Sequence, residues 1–124
     1  MDTSITDELF KACTNIVEVS ISYSNIDTIG EEAFSGCTNI TKVVLPISIK
    51  VIKRYAFYGT TKLSEINLQN ITTLEEHAFH NSGISEANLN SLIGSIPTFA
   101  FMSCSNLVNV TISNAVTSIG NNAF

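Results

Sequence analysis

The chain has 124 residues, which is the length of one domain, and 11 Asp and Glu against six Lys and Arg give it a formal net charge of −5. A chain this acidic lacks the basic patch of a nucleic-acid-binding protein, so we expect no nucleic-acid partner. No apolar run reaches transmembrane length, and the first residues lack the basic and apolar regions of a signal peptide. We therefore expect no membrane insertion of this segment.

A repeat runs through the whole sequence. Its clearest marker is a Phe that recurs at intervals of 24, 23, 22, 22 and 23 residues, at Phe10, Phe34, Phe57, Phe79, Phe101 and Phe124. Ala directly precedes every one of these Phe residues except the first. One unit cannot bury its own apolar side chains, so the repeat predicts units that stack and bury Phe on Phe.

Each repeat predicts a strand after its Phe. A small residue stands three places after Phe, and an apolar-x-x-apolar-x-apolar run follows, ending in the alternation of a strand. The fourth copy is one residue shorter than the others between Phe79 and Ile84. We expect these strands to lie side by side in a parallel sheet, near Val17–Ile21, Val43–Leu45, Ser64–Leu68, Glu86–Leu89 and Val108–Ile112.

A second extended piece closes each repeat, marked by an aliphatic pair: Ile26/Ile29, Ile49/Ile52, Ile71/Leu74, Ile93/Ile96 and Val116/Ile119. We expect it on the opposite side of the unit, followed by a tight turn or a single helical turn that holds Ala and Phe inward. Pro97 occupies the place of Gly30 and Gly120, so we expect the structure to be less regular there.

The phrase Ile29-Gly-Glu-Glu-Ala-Phe-Ser-Gly-Cys-Thr-Asn-Ile40, with its period in the low twenties, resembles the BspA-like (Treponema pallidum-type) leucine-rich repeat. The resemblance runs from Ile5 to Phe124. It implies an α/β repeat solenoid: a right-handed leucine-rich-repeat arc with a parallel β-sheet on the concave face, mostly β and turns, with short helical turns. We expect residues 1–124 to form a single domain of about five repeats, truncated at both ends, since neither end has a polar capping unit.

The outward positions of the predicted strands form a polar, amide-rich and mildly acidic face. For any single residue we favour a solvated surface, and for the face as a whole we favour binding of a protein partner. Glu65 and Glu86 would be like-charged neighbours, which hints at a cation or a basic partner, and Asn67 and Asn88 could instead form an amide ladder. The candidate partner-binding residues are Glu18, Ser20, Lys42, Val44, Glu65, Asn67, Gln69, Glu86, Asn88, Asn90, Asn109 and Thr111.

Other polar residues are interpreted as surface features. Glu31, Arg54 and Glu76 alternate in sign from repeat to repeat, with Lys53 beside Glu75, which predicts cross-repeat ion pairs each worth less than about 1 kcal/mol. His77 and His80 flank Ala78-Phe79, and we interpret them as variable surface residues rather than an acid–base pair. No pattern of catalytic, cofactor-binding or metal-binding residues emerges, so we expect none and no enzyme activity.

The three cysteines share one repeat position, where Thr60 and Ser82 also stand. We favour free, partly buried thiols, although Cys13 and Cys37 on adjacent repeats would be close enough for a bridge. Cysteine usage does not fix the compartment. Three sequons, at Asn39, Asn70 and Asn109, matter only in a protein secreted by a eukaryote.

The family resemblance implies a cell-surface or secreted protein of mucosa-dwelling bacteria or protozoa. Members look like adhesins that contact host extracellular-matrix or cell-surface proteins, a likeness at the level of fold that fixes no ligand. The alternative is an intracellular or self-assembling scaffold module that stacks through its uncapped solenoid ends.

Overall fold

A computed structural model describes residues 3–22 and 25–124. Met1, Asp2, Tyr23 and Ser24, which the single-domain expectation also covers, lie outside the described residues. Each repeat contributes two short strands, one on each side of a flattened coil. All strand pairs between neighbouring repeats are parallel and join residues about one repeat apart.

The first set of strands, here the face sheet, carries the polar face predicted from the sequence. Its strands are β2 (Glu18–Ser20), β4 (Lys42–Val44), β6 (Glu65–Ile66), β8 (Glu86–Leu89) and β10 (Asn109–Ile112). The second set, the back sheet, consists of β1 (Ser4–Ile5), β3 (Thr28–Ile29), β5 (Val51–Ile52), β7 (Thr73–Leu74), β9 (Gly94–Ile96) and β11 (Val116–Ile119). Strand positions agree with the predicted ones within a residue or two.

The core is a spine of aliphatic and aromatic side chains between the two sheets. Six Phe rings stack nearly parallel from Phe10 to Phe124, with centroids 5.1 to 5.6 Å apart. Phe34, Phe57 and Phe79 are completely buried. The stacking of Phe on Phe predicted from the repeat is therefore confirmed.

The segments that hold Ala and Phe inward are turns, and none of the described residues is helical. The expectation of short helical turns, and with it the α part of the fold class, is wrong. The reason lies in the backbone: the residue two places before each Phe adopts a left-handed conformation, with φ of 53° to 60° from Glu8 to Asn122, which no helix accommodates. Gly36 and Gly59 adopt a second left-handed position two residues after Phe.

These turns hydrogen-bond from repeat to repeat without interruption. The N–H of each Phe donates to the carbonyl of the Ala one repeat later, at 2.7 to 2.8 Å, from Phe10 to Ala33 through to Phe101 and Ala123. We call this row of bonds the turn ladder. It satisfies backbone groups that burial would otherwise leave unpaired.

Both sheets, by contrast, break between the third and fourth repeats, a place we call the seam. β6 is not bonded to β8, and β7 is not bonded to β9. In the back sheet the cause is Pro97: at its position Gly30, Lys53, Glu75 and Gly120 each donate a backbone N–H to the preceding repeat, and proline has none to donate. The irregularity expected at Pro97 is thus present.

In the face sheet the cause is the short fourth repeat. With one residue fewer between Phe79 and Ile84, the chain passes close to the third repeat at Gly83. A Cβ at Gly83 would stand 2.3 Å from the Thr61 carbonyl oxygen. The aliphatic pair of this repeat also differs from prediction: Ile93 is 64% exposed, whereas Leu92 is completely buried in its place. Gly94, with φ of 86°, follows and restores the path toward Ile96.

Candidate interaction face

The strands of the face sheet alternate between buried and exposed side chains, as a half-buried strand must. In β4 the pattern is exposed Lys42, buried Val43 and exposed Val44, and β8 alternates in the same way. The register places Glu18 beside Lys42, Lys42 beside Glu65, and Asn88 beside Thr111. All twelve candidate residues are exposed except Asn67, which is half-buried.

Several of these side chains are already bonded within the chain. Asn67 Nδ2 donates to the Leu45 carbonyl and its Oδ1 accepts from the Leu45 N–H, both at 2.8 Å. Its amide therefore replaces a backbone pair of the ladder. Asn88 Oδ1 accepts the Asn90 N–H at 3.2 Å, so the alternative of an amide ladder between Asn67 and Asn88 is wrong.

The charges on the face are unevenly paired. Lys42 Nζ lies 3.3 Å from Glu65 Oε2. Glu86 makes no ion pair within the described residues. Glu65 and Glu86 both line an open cleft of about 590 Å³ where the face sheet is interrupted. The face as built has a local acidic excess at this point.

The turn side of the coil holds an arrangement that the sequence interpretation missed. The ring of His77 stacks between Tyr55, at a centroid distance of 4.5 Å, and Phe99, at 4.7 Å. His80 lies edge-on to Tyr58 at 5.1 Å. We name Tyr55, Tyr58, His77, His80 and Phe99 the aromatic cluster. Its signal was available, because three of these residues share one repeat position and the other two share another.

The two imidazoles of the aromatic cluster form a hydrogen bond. His77 Nδ1 and His80 Nδ1 are 2.8 Å apart, so one nitrogen carries the proton and the other accepts it. Burial, and secondarily the neighbouring His77, lower the pKa of His80. A carboxylate partner such as Glu76 makes no hydrogen bond to either ring within the described residues.

The predicted cross-repeat ion pairs are present in part. Arg54 Nη2 lies 3.0 Å from Glu31 Oε1. Glu75, however, accepts the Arg54 backbone N–H at 2.9 Å instead of pairing with Lys53. These contacts join neighbouring turns at the surface of the coil.

The cysteines occupy the spine. Cys37 Sγ donates to the Phe10 carbonyl and Cys104 Sγ to the Phe79 carbonyl, each at 3.0 Å. All three thiols are free in the structure. Burial raises the pKa of Cys104 to about 11, so this thiol stays protonated and unreactive at neutral pH.

One sequon asparagine is also used structurally. Asn39 Nδ2 donates to the Thr14 carbonyl at 2.8 Å, and Asn39 Oδ1 accepts from Lys62 Nζ at the same distance. Both ends of the amide are thus bonded to neighbouring repeats.

Within the described residues there is no group of three or more side chains suited to hold a metal ion, and no helix that could span a membrane. Two stacked strand sets, a Phe spine and a turn per repeat define a parallel β-solenoid of about five turns.

The chain belongs to the BspA-type leucine-rich repeat family, whose profile matches six copies over residues 3–124. A solved leucine-rich cell-surface protein from Faecalibacterium prausnitzii is 28% identical with a TM-score of 0.88, the match covering 98% of this chain and 34% of that one. The leucine-rich repeat protein of T. pallidum is 22% identical with a TM-score of 0.75, covering 95% and 66%.

A leucine-rich repeat protein from Bacteroides ovatus is 20% identical with a TM-score of 0.64, covering 98% of this chain and 46% of that chain. This chain therefore spans between about a third and two thirds of these solved relatives. A comparison with curated protein sequences finds no match. Leucine-rich repeat proteins are generally protein-interaction modules, which gives the class of function.

Proposed function

We propose that this chain is a non-enzymatic protein-interaction module that binds a protein partner through the concave side of its face sheet, as a segment of a cell-surface or secreted adhesin-like protein. The observation that supports this most directly is the alternation in β4 and β8. It exposes a column of polar side chains on each repeat while the spine holds their backbone in place.

The chemistry of the face suits a protein partner. Amides, hydroxyls and carboxylates project from rigid strands, which lowers the entropy lost on binding. The F. prausnitzii relative is described as a cell-surface protein, which supports a similar location here. Host extracellular-matrix or cell-surface proteins are the partners that we propose.

The test is binding to a panel of purified extracellular-matrix proteins coated on plates. We expect saturable binding to at least one, and a loss of at least about fivefold in affinity for Val44→Arg, which places a long cation on the exposed side of β4. Thr38→Arg is the matched control, because Thr38 is exposed outside both sheets. Equal affinity of both variants would exclude the face sheet as the binding surface.

A second candidate function is self-assembly by stacking of one copy on another. Its support is the exposed apolar surface at the outer edge of β10 and β11, where Val108 is 77% and Ile119 56% exposed and where Phe124 stacks on one side only. Light scattering across a concentration series tests it. Rising mass that Val108→Asp abolishes would favour stacking, and a constant 13.4 kDa would exclude it.

A further inference from the structure

The interruption of the face sheet exposes backbone edges from two sides. The Glu65 N–H donates to the Thr41 carbonyl, on the side of β6 that faces β4. Successive residues of a strand turn their backbone groups to opposite sides, so the N–H and carbonyl of Ile66 point toward β8. In the same way the Ser85 carbonyl accepts from Asn109 of β10, so the N–H and carbonyl of Glu86 face β6. Neither edge has a partner strand among the residues that the structure describes.

The opening is confined to the middle of the two strands. Before them the Gly83 N–H donates to the Thr60 carbonyl at 3.0 Å, and after them Ser91 Oγ donates to the Gln69 carbonyl at 2.6 Å. The spine beneath is closed, since Leu63 and Ile84 are fully buried. The break is therefore a bounded slot on an intact core, and the backbone around it is held in place.

The side chains at the slot leave room for a guest. The inward position of β8 is Ala87, where β4 has Val43 and β6 has Ile66. Ile66 is half-buried, whereas Val43 is 1% exposed, because no strand covers the side of Ile66 that faces Ala87. A cleft of about 590 Å³ opens on the sheet face here, lined by residues of β4 and β6 and by Ser85 and Glu86 at the start of β8.

Hydrogen-bond acceptors and negative charge predominate in this cleft. Its charged lining residues are Lys42, Glu65 and Glu86. Lys42 is bonded to Glu65, whereas Glu86 has no ion pair within the described residues. Carboxylate oxygens together with unpaired backbone carbonyls call for a guest with several donors, which a guanidinium or ammonium group supplies.

We propose that the cleft over β4, β6 and the start of β8 binds an extended peptide segment of the protein partner that carries an arginine or lysine. The cation pairs with Glu86 and Glu65, and the peptide backbone bonds to the N–H and carbonyl of Ile66 at the free edge of β6, as in strand addition to an open sheet edge. This inference rests on the proposed function and names the part of the face and the partner chemistry on which recognition depends.

The test is a titration of the 15N-labelled chain with an acetylated, amidated Thr-Val-Arg-Val-Thr peptide, followed by amide chemical shifts. We expect shifts centred on Ile66, Glu86 and Asn88, weakened by raising the salt concentration. Glu86→Gln should weaken binding by at least about fivefold, the effect of losing one charge-assisted contact. Glu18→Gln is the control, because Glu18 lies in the same column outside the cleft.

A peptide with citrulline in place of arginine should bind markedly more weakly, since it keeps the shape and loses the charge. The inference is overturned if shifts are absent at millimolar peptide, if they spread over β2 and β10 alike, or if Glu86→Gln and Glu18→Gln bind equally. If a matrix protein binds through the face while Glu86→Gln changes nothing, the proposed function stands and this inference fails. If the peptide binds in the cleft but no matrix protein binds the chain, the proposed partners are wrong and the inference about the cleft stands.

Discussion

At the scale of single residues, four of the stacked Phe rings are the largest fully buried side chains of the core. Phe57 is completely buried, with Phe34 stacked on one side at 5.2 Å and Phe79 on the other at 5.1 Å. Removing this ring would leave a cavity between two repeats. The surrounding strands cannot close it, because the turn ladder fixes their spacing.

We therefore expect Phe57→Ala to reduce the free energy of unfolding by roughly 3–5 kcal/mol, measured by urea denaturation. Phe124→Ala is the matched control: the same ring in the same repeat position is 50% exposed and stacks only on Phe101. It should lose much less. Equal losses for the two variants would mean that the ring's burial between two neighbours is not what stabilises the array.

For Glu65→Ala we expect the opposite result, a nearly unchanged free energy of unfolding. Its carboxylate is 67% exposed and is bonded to one lysine, so removing it should change the free energy of unfolding by less than about 1 kcal/mol. The same denaturation experiment measures it. A loss of several kcal/mol would show that Glu65 is part of the folded core rather than of the open face.

The bonded pair of His77 and His80 makes stability depend on pH. The pKa of His80 is lowered in the folded state, so the unfolded chain binds this proton more readily. The stabilisation is complete above the ordinary His pKa of 6.5 and is lost as the pH falls below it, through the lowered folded-state value. When both rings are charged, their hydrogen bond is lost as well.

We therefore expect the melting temperature to decrease between pH 7.5 and pH 5, in addition to any change from carboxylates at lower pH. These are the chain's only two histidines, so His80→Gln should remove most of the dependence in this window. Its control is Thr38→Ala, which leaves both imidazoles in place. An unchanged pH profile in His80→Gln would assign the effect to other groups.

The residues of the spine could be predicted from the sequence because a repeat multiplies one signal six times. The aromatic cluster was not predicted: Tyr55, His77 and Phe99 share one repeat position, but Glu32 and Asn122 also stand there, so the position was interpreted as variable. They meet only because neighbouring repeats stand about 5 Å apart, the spacing at which rings stack. The role of Asn67 was equally hidden, because its amide bonds to the backbone of Leu45 and not to another side chain.

At the scale of elements, the absence of one hydrogen-bond donor separates β7 from β9. Lys53, in the corresponding position, donates its N–H to the Ile29 carbonyl at 3.0 Å. Pro97→Lys should therefore restore a bond to the Leu74 carbonyl. The free energy of unfolding should change little, because a gain of about 1 kcal/mol from the bond is offset by the greater freedom of the unfolded chain.

Hydrogen exchange detects the new hydrogen bond directly, even where the free energy of unfolding is unchanged. The amide of residue 97 in Pro97→Lys should exchange slowly, at a rate close to that of the Lys53 amide in the same protein. Exchange as fast as in an exposed loop would mean that something other than the missing donor separates β7 from β9.

Strand positions were predictable at this scale, because alternation fixes which residues point inward. The conformation of the turns before each Phe was not predictable, since left-handed backbone at residues such as Glu32, Tyr55 and Phe99 carries no recognisable sequence signal. The place of Ile93 was mispredicted for a related reason. The short fourth repeat moves the buried position to Leu92, and a fixed repeat length cannot register that shift.

At the scale of the whole molecule, the seam divides the solenoid into two blocks of strands. β1 to β7 lie on one side and β8 to β11 on the other. Across the seam the two are joined by the turn ladder, by the spine and by a few further hydrogen bonds, among them Gly83 N–H to the Thr60 carbonyl and Ile93 N–H to the Thr72 carbonyl. Stability in a stacked array is a sum of units and neighbour contacts, so fewer bonds at one contact weaken the coupling there.

This division should be visible in unfolding. All three tyrosines precede residue 60, so tyrosine fluorescence reports on the first block, whereas far-ultraviolet circular dichroism reports on both. We expect the circular-dichroism transition in urea to be broader and to begin at a lower concentration, because Ile112 and Ile119 in the second block are exposed. Pro97→Lys should bring the fluorescence and circular-dichroism curves together. Coincident curves in the unmodified chain would show that the two blocks unfold as one unit.

The short fourth repeat also bears on how such arrays diversify. Substitutions can vary the side chains of a uniform ladder, but they leave every repeat with the same backbone and offer a partner many equivalent positions. The loss of one residue before Ile84 creates a single position unlike all the others. Changes in repeat length are therefore a second source of variation, because they make one position of a repetitive surface different from the others without altering the core.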